Sequence, residues 1–170
     1  CDVPTFYGPV VSLLAKDCDP MTKEQLLIAL TTAGPLGEVP PNSASVMKPG
    51  KAEGKLVGGC LSLINSSMGT PYELGTKGSV LFIEEIGEKV YVLDRMLTQL
   101  NNAGKFKDAK GIVFGSIITQ EGEPHDVHTM IRDVLADFDG PVVVDYPAGH
   151  TKKFVTLPLW GMLGDRYGNK

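Results

Sequence analysis

Long apolar runs, clustered basic residues and paired cysteines are all missing from this sequence. No apolar stretch approaches the ~20 residues that span a bilayer, and no signal-peptide pattern is visible. Membrane insertion is therefore not expected. The net charge is −4 and Lys and Arg form no patch, which argues against a nucleic-acid partner. Only three cysteines occur, Cys1, Cys18 and Cys60, with no C-x-x-C pair. An odd, unpatterned count fits a reducing, cytoplasmic compartment better than a disulfide framework. His125 and His128 stand apart from any second cluster of ligands, so neither a metal nor another cofactor is expected. Ser62, Ser66, Ser67 and Ser116 all lack the strained G-x-S-x-G elbow that exposes a nucleophile. The first residue is Cys1 rather than methionine. This reads as a fragment of a longer protein, ahead of a processed N-terminal nucleophile or a lipoprotein without its signal.

What is present is a core-forming chain rich in turns. Of 170 residues, 42% are hydrophobic, enough to bury a real core of one domain, and 20 glycines and 12 prolines are spread along the length. Thr22 and Gln25 have capping-box spacing and predict a helix through Leu26, Leu27 and Leu30 that stops before Gly34-Pro35. Gly34 to Gly54 reads as a long loop or weak hairpin. Lys55 to Ile64 reads as a strand, a glycine pair and a short helix. Residues 79–83, 112–118 and 142–145 are near-continuous apolar strands. Between them lie helical stripes over Val90 to Ala103 and Asp126 to Phe138. Alternation of this kind predicts an α/β fold with a mostly parallel buried sheet flanked by helices. The Gly-rich first third suggests an added β layer.

Chemistry is expected at two strand ends. Glu84 and Glu85 follow Ser79-Val80-Leu81-Phe82-Ile83, and His150 follows Pro147-Ala148-Gly149 just past Val142-Val143-Val144-Asp145. Open α/β folds place their sites beyond the carboxyl ends of strands. A carboxylate and an imidazole there are two-thirds of a nucleophile-activating triad. The plainer readings are also open. Glu84 could be a salt-bridge carboxylate, with Arg95 within reach of Glu84, Glu85 or Glu88, and a lone histidine is often structural. Gly58-Gly59 before a helix could cradle an anion or simply permit a tight crossing. Cys60 is expected to pack as a small hydrophobe.

Taken in order, several motifs resemble one family. They are Gly58-Gly59-Cys60-Leu61-Ser62-Leu63, Gly69-Thr70-Pro71-Tyr72, Leu81-Phe82-Ile83-Glu84-Glu85, Asp94-Arg95-Met96-Leu97, Gly111-Ile112-Val113-Phe114-Gly115, Pro147-Ala148-Gly149-His150 and Leu157-Pro158-Leu159. Over roughly residues 5 to 165 the chain resembles the C-terminal domain of the LD-carboxypeptidases, serine peptidases that include murein tetrapeptide carboxypeptidase and the microcin C immunity proteins.

The resemblance implies a swivelling β/β/α domain and a Ser-Glu-His triad, with Glu84 as the acid and His150 as the general base. It implies that the serine lies on a separate N-terminal domain, that Thr5-Phe6-Tyr7-Gly8-Pro9 is the junction after it, and that the isolated chain is inactive. The implied substrate is a peptidoglycan stem peptide that loses its terminal D-alanine during cell-wall recycling, and a homodimer is plausible. Three residues depart from the family pattern: Cys60 and Phe154, each where an Asn is usual, and Trp160 in the ending. The first two leave room for a different substrate. The competing expectations are an immunity-type hydrolase of a peptide-nucleotide and a non-catalytic peptide-binding domain.

Overall fold

The computed structural model describes residues 5–15, 18–32, 44–120 and 124–159, the side chains of 124–126 excepted. The elements run β1 (Thr5–Tyr7), α1 (Val11–Leu14), α2 (Pro20–Thr31), β2 (Ser45–Lys48), β3 (Leu56–Cys60), α3 (Leu61–Ser67), β4 (Val80–Glu88), α4 (Val90–Asn102), α5 (Lys105–Asp108), β5 (Gly111–Thr119), α6 (Pro124–Val134), β6 (Val142–Val144) and β7 (Leu157–Leu159). Five strands form one sheet in the order β2-β6-β5-β4-β3. β3, β4, β5 and β6 are parallel, and β2 closes one edge antiparallel to β6. β1 and β7 make a separate antiparallel ribbon, with Tyr7 opposite Leu157. This is the mixed α/β architecture that the strand–helix alternation predicts. No helix of the described residues is long and apolar enough to cross a membrane.

The two faces of the sheet bury different things. One packs against the helices. Leu81, Ile83, Ile112 and Phe114 meet Leu61 and Ile64 of α3, Leu93, Leu97 and Leu100 of α4, and Ile131 of α6. The 93, 97, 100 spacing keeps three leucines on one helical face. The opposite face buries Leu56, Val80 and Phe82 under Ala148, Phe154 and Leu157, with Tyr7 packed against them. Side chains alternate along a strand, so Val80, Phe82 and Glu84 share the second face while Leu81, Ile83 and Glu85 share the first. Adjacent carboxylates are thereby sent to opposite sides of the sheet.

Several local expectations are revised. β4 does not stop at Ile83 but runs on to Glu88 beside β5, through bulges between Ile83 and Glu85 and between Ile86 and Glu88. Glu84 is nevertheless at a strand end in one sense: it faces Cys60, where β3 finishes. The first long helix begins at Pro20, capped by Asp19, whose side chain accepts from Met21 N at 2.9 Å. Thr22 is therefore inside the helix and fully buried, not its cap. Proline fits the first helical position because its missing N–H has no partner there anyway. Within the expected 34–54 loop, residues 45–48 form the edge strand β2; residues 34–43 lie outside the described residues, as do Cys1 and Trp160.

Candidate active site

Glu84 has no solvent exposure, yet both its oxygens are engaged. Oε2 lies 2.8 Å from His150 Nδ1, and Oε1 accepts the Tyr7 hydroxyl at 2.7 Å. A buried carboxylate without such partners would be strongly unfavourable. Hydrogen bonds to a charged group typically contribute about 1.5–3 kcal/mol each and offset part of that cost. The three residues come from β4, from β1 and from the loop after β6, so the cluster exists only in the folded chain. Its carboxylate–imidazole pair matches the two residues singled out in the sequence.

The loop that delivers His150 is held in two ways. Gly149 has φ +110°, a conformation that L side chains rarely adopt. A Cβ there would also lie 2.6 Å from Ser116 Oγ and 2.8 Å from Glu84 Oε2. Glycine alone lets the backbone pass this close to the carboxylate and set the ring beside it. Downstream, the buried Thr22 hydroxyl donates to Lys152 O at 3.0 Å and accepts from Phe154 N at 2.9 Å, tying the loop to α2. Phe154 itself is buried and stacks on Tyr7, with centroids 5.8 Å apart and planes at 29°. This position is packing under the site, not a polar group in it.

His150 remains half exposed, its side chain at 50%. Its ring borders a groove of about 480 Å³ with Glu84, Tyr7, Cys60, Leu63 and Tyr72. Gly58 and Gly59 form the floor. A Cβ on Gly58 would collide with the Phe82 carbonyl, so this glycine serves the close approach of β3 to its parallel neighbour β4, whereas a Cβ on Gly59 would meet nothing. Among the described residues, no serine or cysteine is hydrogen-bonded to His150. Ser116 Oγ is buried and has no hydrogen-bond partner among those residues.

Glu85 has a different job. It is buried on the helix side and accepts from Ser62 N at 2.7 Å, from the Ser62 hydroxyl and from Ile86 N at 2.9 Å. The first two bonds satisfy donors at the start of α3. Cys60 Sγ also points at this carboxylate, 3.5 Å from Oε2. The thiol is thus half buried at the groove beside a charge, where the sequence suggested a small hydrophobe. Burial pushes its pKa above the usual thiol value, and the Glu85 charge adds to the rise, while backbone bonds at Leu63 and Ser62 oppose it. Among the described residues Arg95 makes no ion pair with Glu84, Glu85 or Glu88.

His128 lies at the surface with its Nε2 3.0 Å from Asp145 Oδ1. Among the described residues, no group of three or more His, Cys, Asp or Glu side chains is arranged to hold a metal. Tyr7 and Thr22 were not legible as site residues. Both act across more than 70 positions of sequence, and neither sits in a pattern that announces it.

Comparison with known proteins identifies a family. Residues 53–163 match the model of the LD-carboxypeptidase C-terminal domain. A Bacillus subtilis protein named probable murein peptide carboxypeptidase is 37% identical over 163 residues, covering 91% of the chain and 50% of that protein. The crystal structure of muramoyltetrapeptide carboxypeptidase from Oxalobacter formigenes superposes with a TM-score of 0.81 at 30% identity, covering 94% of this chain and 56% of that one. The microcin C7 self-immunity protein of Escherichia coli is 26% identical over 133 residues, 76% of this chain and 38% of that protein. The chain thus spans about half the length of the curated relatives it matches.

Proposed function

The chain belongs to the LD-carboxypeptidase family, a family of peptide hydrolases whose C-terminal domain it matches, and we propose that it supplies the base and the acid of a serine peptidase's Ser-Glu-His triad. The observation that carries this reading is the 2.8 Å contact of His150 Nδ1 with a fully buried Glu84, at a groove the imidazole borders. In this reading the nucleophilic serine belongs to an N-terminal domain that shares the site. His150 Nε2 takes the serine proton as the hydroxyl attacks the carbonyl between an L-centre and a terminal D-alanine. Glu84 accepts the Nδ1 hydrogen, which fixes the tautomer and stabilises the imidazolium. The proton then passes to the leaving amine, D-alanine departs, and water releases the acyl-enzyme by the same base. The substrate would be a murein stem peptide, cleaved in the cytoplasm. Both described cysteines are free, which is compatible with a reducing compartment.

The test is D-alanine release from a murein tetrapeptide by the two-domain protein, by Glu84→Ala and by His150→Ala. The expected result is release by the parent and a loss of several orders of magnitude in each variant. Equal release by all three would refute the assignment. A second reading, hydrolysis of a peptide-nucleotide amide, is favoured by Tyr72. It is 88% exposed beside the groove and offers a face on which a base could stack. Hydrolysis of an aminoacyl sulfamoyl adenosine without action on the tetrapeptide would select it. Cleavage of neither compound would favour a peptide-binding domain.

A further inference from the structure

We propose that Tyr7 is a positioning residue for the Glu84–His150 pair: its hydroxyl anchors Glu84 Oε1, so that Oε2 faces His150 Nδ1 and holds the ring as its Nδ1–H tautomer. This deepens the hydrolase reading and rests on it for its catalytic consequence, though not for its structural one.

The argument starts with the carboxylate. The last torsion of a glutamate is broad and weakly directed, so one bond to a half-exposed imidazole does not fix where Oε2 points. A second bond on Oε1 does. The Tyr7 hydroxyl supplies it at 2.7 Å, and the phenol is itself well located. Its ring meets Phe82 edge-on, 5.4 Å between centroids at 61°, and stacks on Phe154. Its backbone is paired to Leu157 in the β1–β7 ribbon. Aromatic clamping on two sides and strand pairing behind leave the hydroxyl little freedom. Burial, then the bond to Glu84, raise the phenol pKa far above its usual value, so Tyr7 remains a donor wherever the chain is folded.

His150 needs such help because the bond to Glu84 is the one side-chain hydrogen bond its ring makes among the described residues. Half its side chain is exposed, and Glu84 is the partner of Nδ1. A catalytic base must present Nε2 without its hydrogen, and the hydrogen bond at the other nitrogen decides which tautomer is present. The other titratable neighbours of Glu84 do not compete for Oε1. Cys60, across the β3–β4 pairing, turns its thiol to Glu85, and Glu85 lies on the other face. Orientation therefore passes from the aromatic cluster through Tyr7 to Glu84 and on to the imidazole.

The decisive experiment is nitrogen-15 NMR of the histidine ring in this 170-residue chain, parent against Tyr7→Phe, at a pH where the ring is neutral. The phenylalanine keeps the ring contacts and removes only the donor. The parent ring should be held as Nδ1–H, and the substitution should move the tautomer ratio about tenfold toward Nε2–H, the equivalent of one lost hydrogen bond. A folded Tyr7→Phe chain with an unchanged ratio overturns the proposal. If the variant does not fold, proton NMR of the parent decides. The Tyr7 hydroxyl proton, bonded to Glu84 Oε1, should be protected from exchange with water, and a freely exchanging hydroxyl overturns the proposal. In the two-domain protein Tyr7→Phe should lower kcat with little change in KM. A shifted tautomer without any D-alanine release would leave the positioning intact and remove the hydrolase reading. Release that survives with an unmoved tautomer would do the reverse.

Discussion

Gly149 and Glu84 approach so closely that a single added methyl group has no room: a Cβ on Gly149 would lie 2.8 Å from Glu84 Oε2 and 3.0 Å from Glu84 Cβ. The same glycine has φ +110°, so alanine there meets both backbone strain and a clash with the buried carboxylate. Gly149→Ala is expected to cost about 2–4 kcal/mol, read by urea denaturation, and to break the His150 Nδ1–Glu84 bond. A variant as stable as the parent would contradict the described loop.

Ser116 is the serine that lies against this turn, and its hydroxyl is buried without a described partner. An unpaired buried hydroxyl contributes nothing to offset its lost hydration. Ser116→Ala should therefore leave stability within about 1 kcal/mol of the parent or raise it slightly. It should also leave hydrolysis by the two-domain protein unchanged, because the proposed nucleophile is elsewhere. A large fall in turnover with an intact melting curve would instead make Ser116 part of the chemistry.

The groove thiol offers a pH test. The pKa of Cys60 is raised by burial first and by Glu85 second, so at neutral pH it is protonated and a poor nucleophile. Its alkylation by iodoacetamide, followed by peptide mass mapping, should show a midpoint above that of a free thiol. Glu85→Gln should lower that midpoint and speed the reaction. The sign for stability follows: a pKa raised on folding favours the folded state below the unfolded thiol's pKa, and this contribution is lost as pH rises through the folded one. A midpoint at or below that of free cysteine would contradict the placement of the thiol against the carboxylate.

The fold was largely legible because its buried strands are apolar runs and its helices carry leucines at helical spacing, both of which are local signals. Glu84 and His150 stood out because polar residues directly after such runs are unusual, and the structure does bring them into contact. The continuation of β4 to Glu88 was not legible, since a two-strand extension with bulges mixes glutamates, isoleucine and glycine and has no clear period. Thr22 was misread because a capping-box spacing is a weak pattern, and Asp19-Pro20 offered a stronger start three residues earlier. Tyr7 could not be found at all from its surroundings. Its role depends on the β1–β7 ribbon, which pairs residues about 150 apart in sequence.

Glu85 should prove a structural residue, in contrast to its neighbour. Its carboxylate satisfies backbone donors at Ser62 and Ile86 as well as the Ser62 hydroxyl, all away from His150. Glu85→Ala would strand those donors in a buried setting, at about 1–3 kcal/mol for each that finds no water, and should free the first turn of α3. The expected outcome is a clear loss of stability in urea, with faster amide exchange at Ser62.

Thr22 gives the complementary test, because it touches the site loop without touching the reacting groups. Its buried hydroxyl bridges Lys152 O and Phe154 N, and valine would keep the shape while leaving both backbone groups unpaired. Thr22→Val should destabilise the chain by about 1–3 kcal/mol and speed hydrogen exchange at the Phe154 amide well beyond the change seen at α4. Because that loop carries His150, turnover by the two-domain protein should fall severalfold while the variant stays folded. Unchanged exchange at Phe154 would mean that the segment is held by the burial of Phe154 and Val155 alone, and the tie to α2 would then have no part in presenting the base.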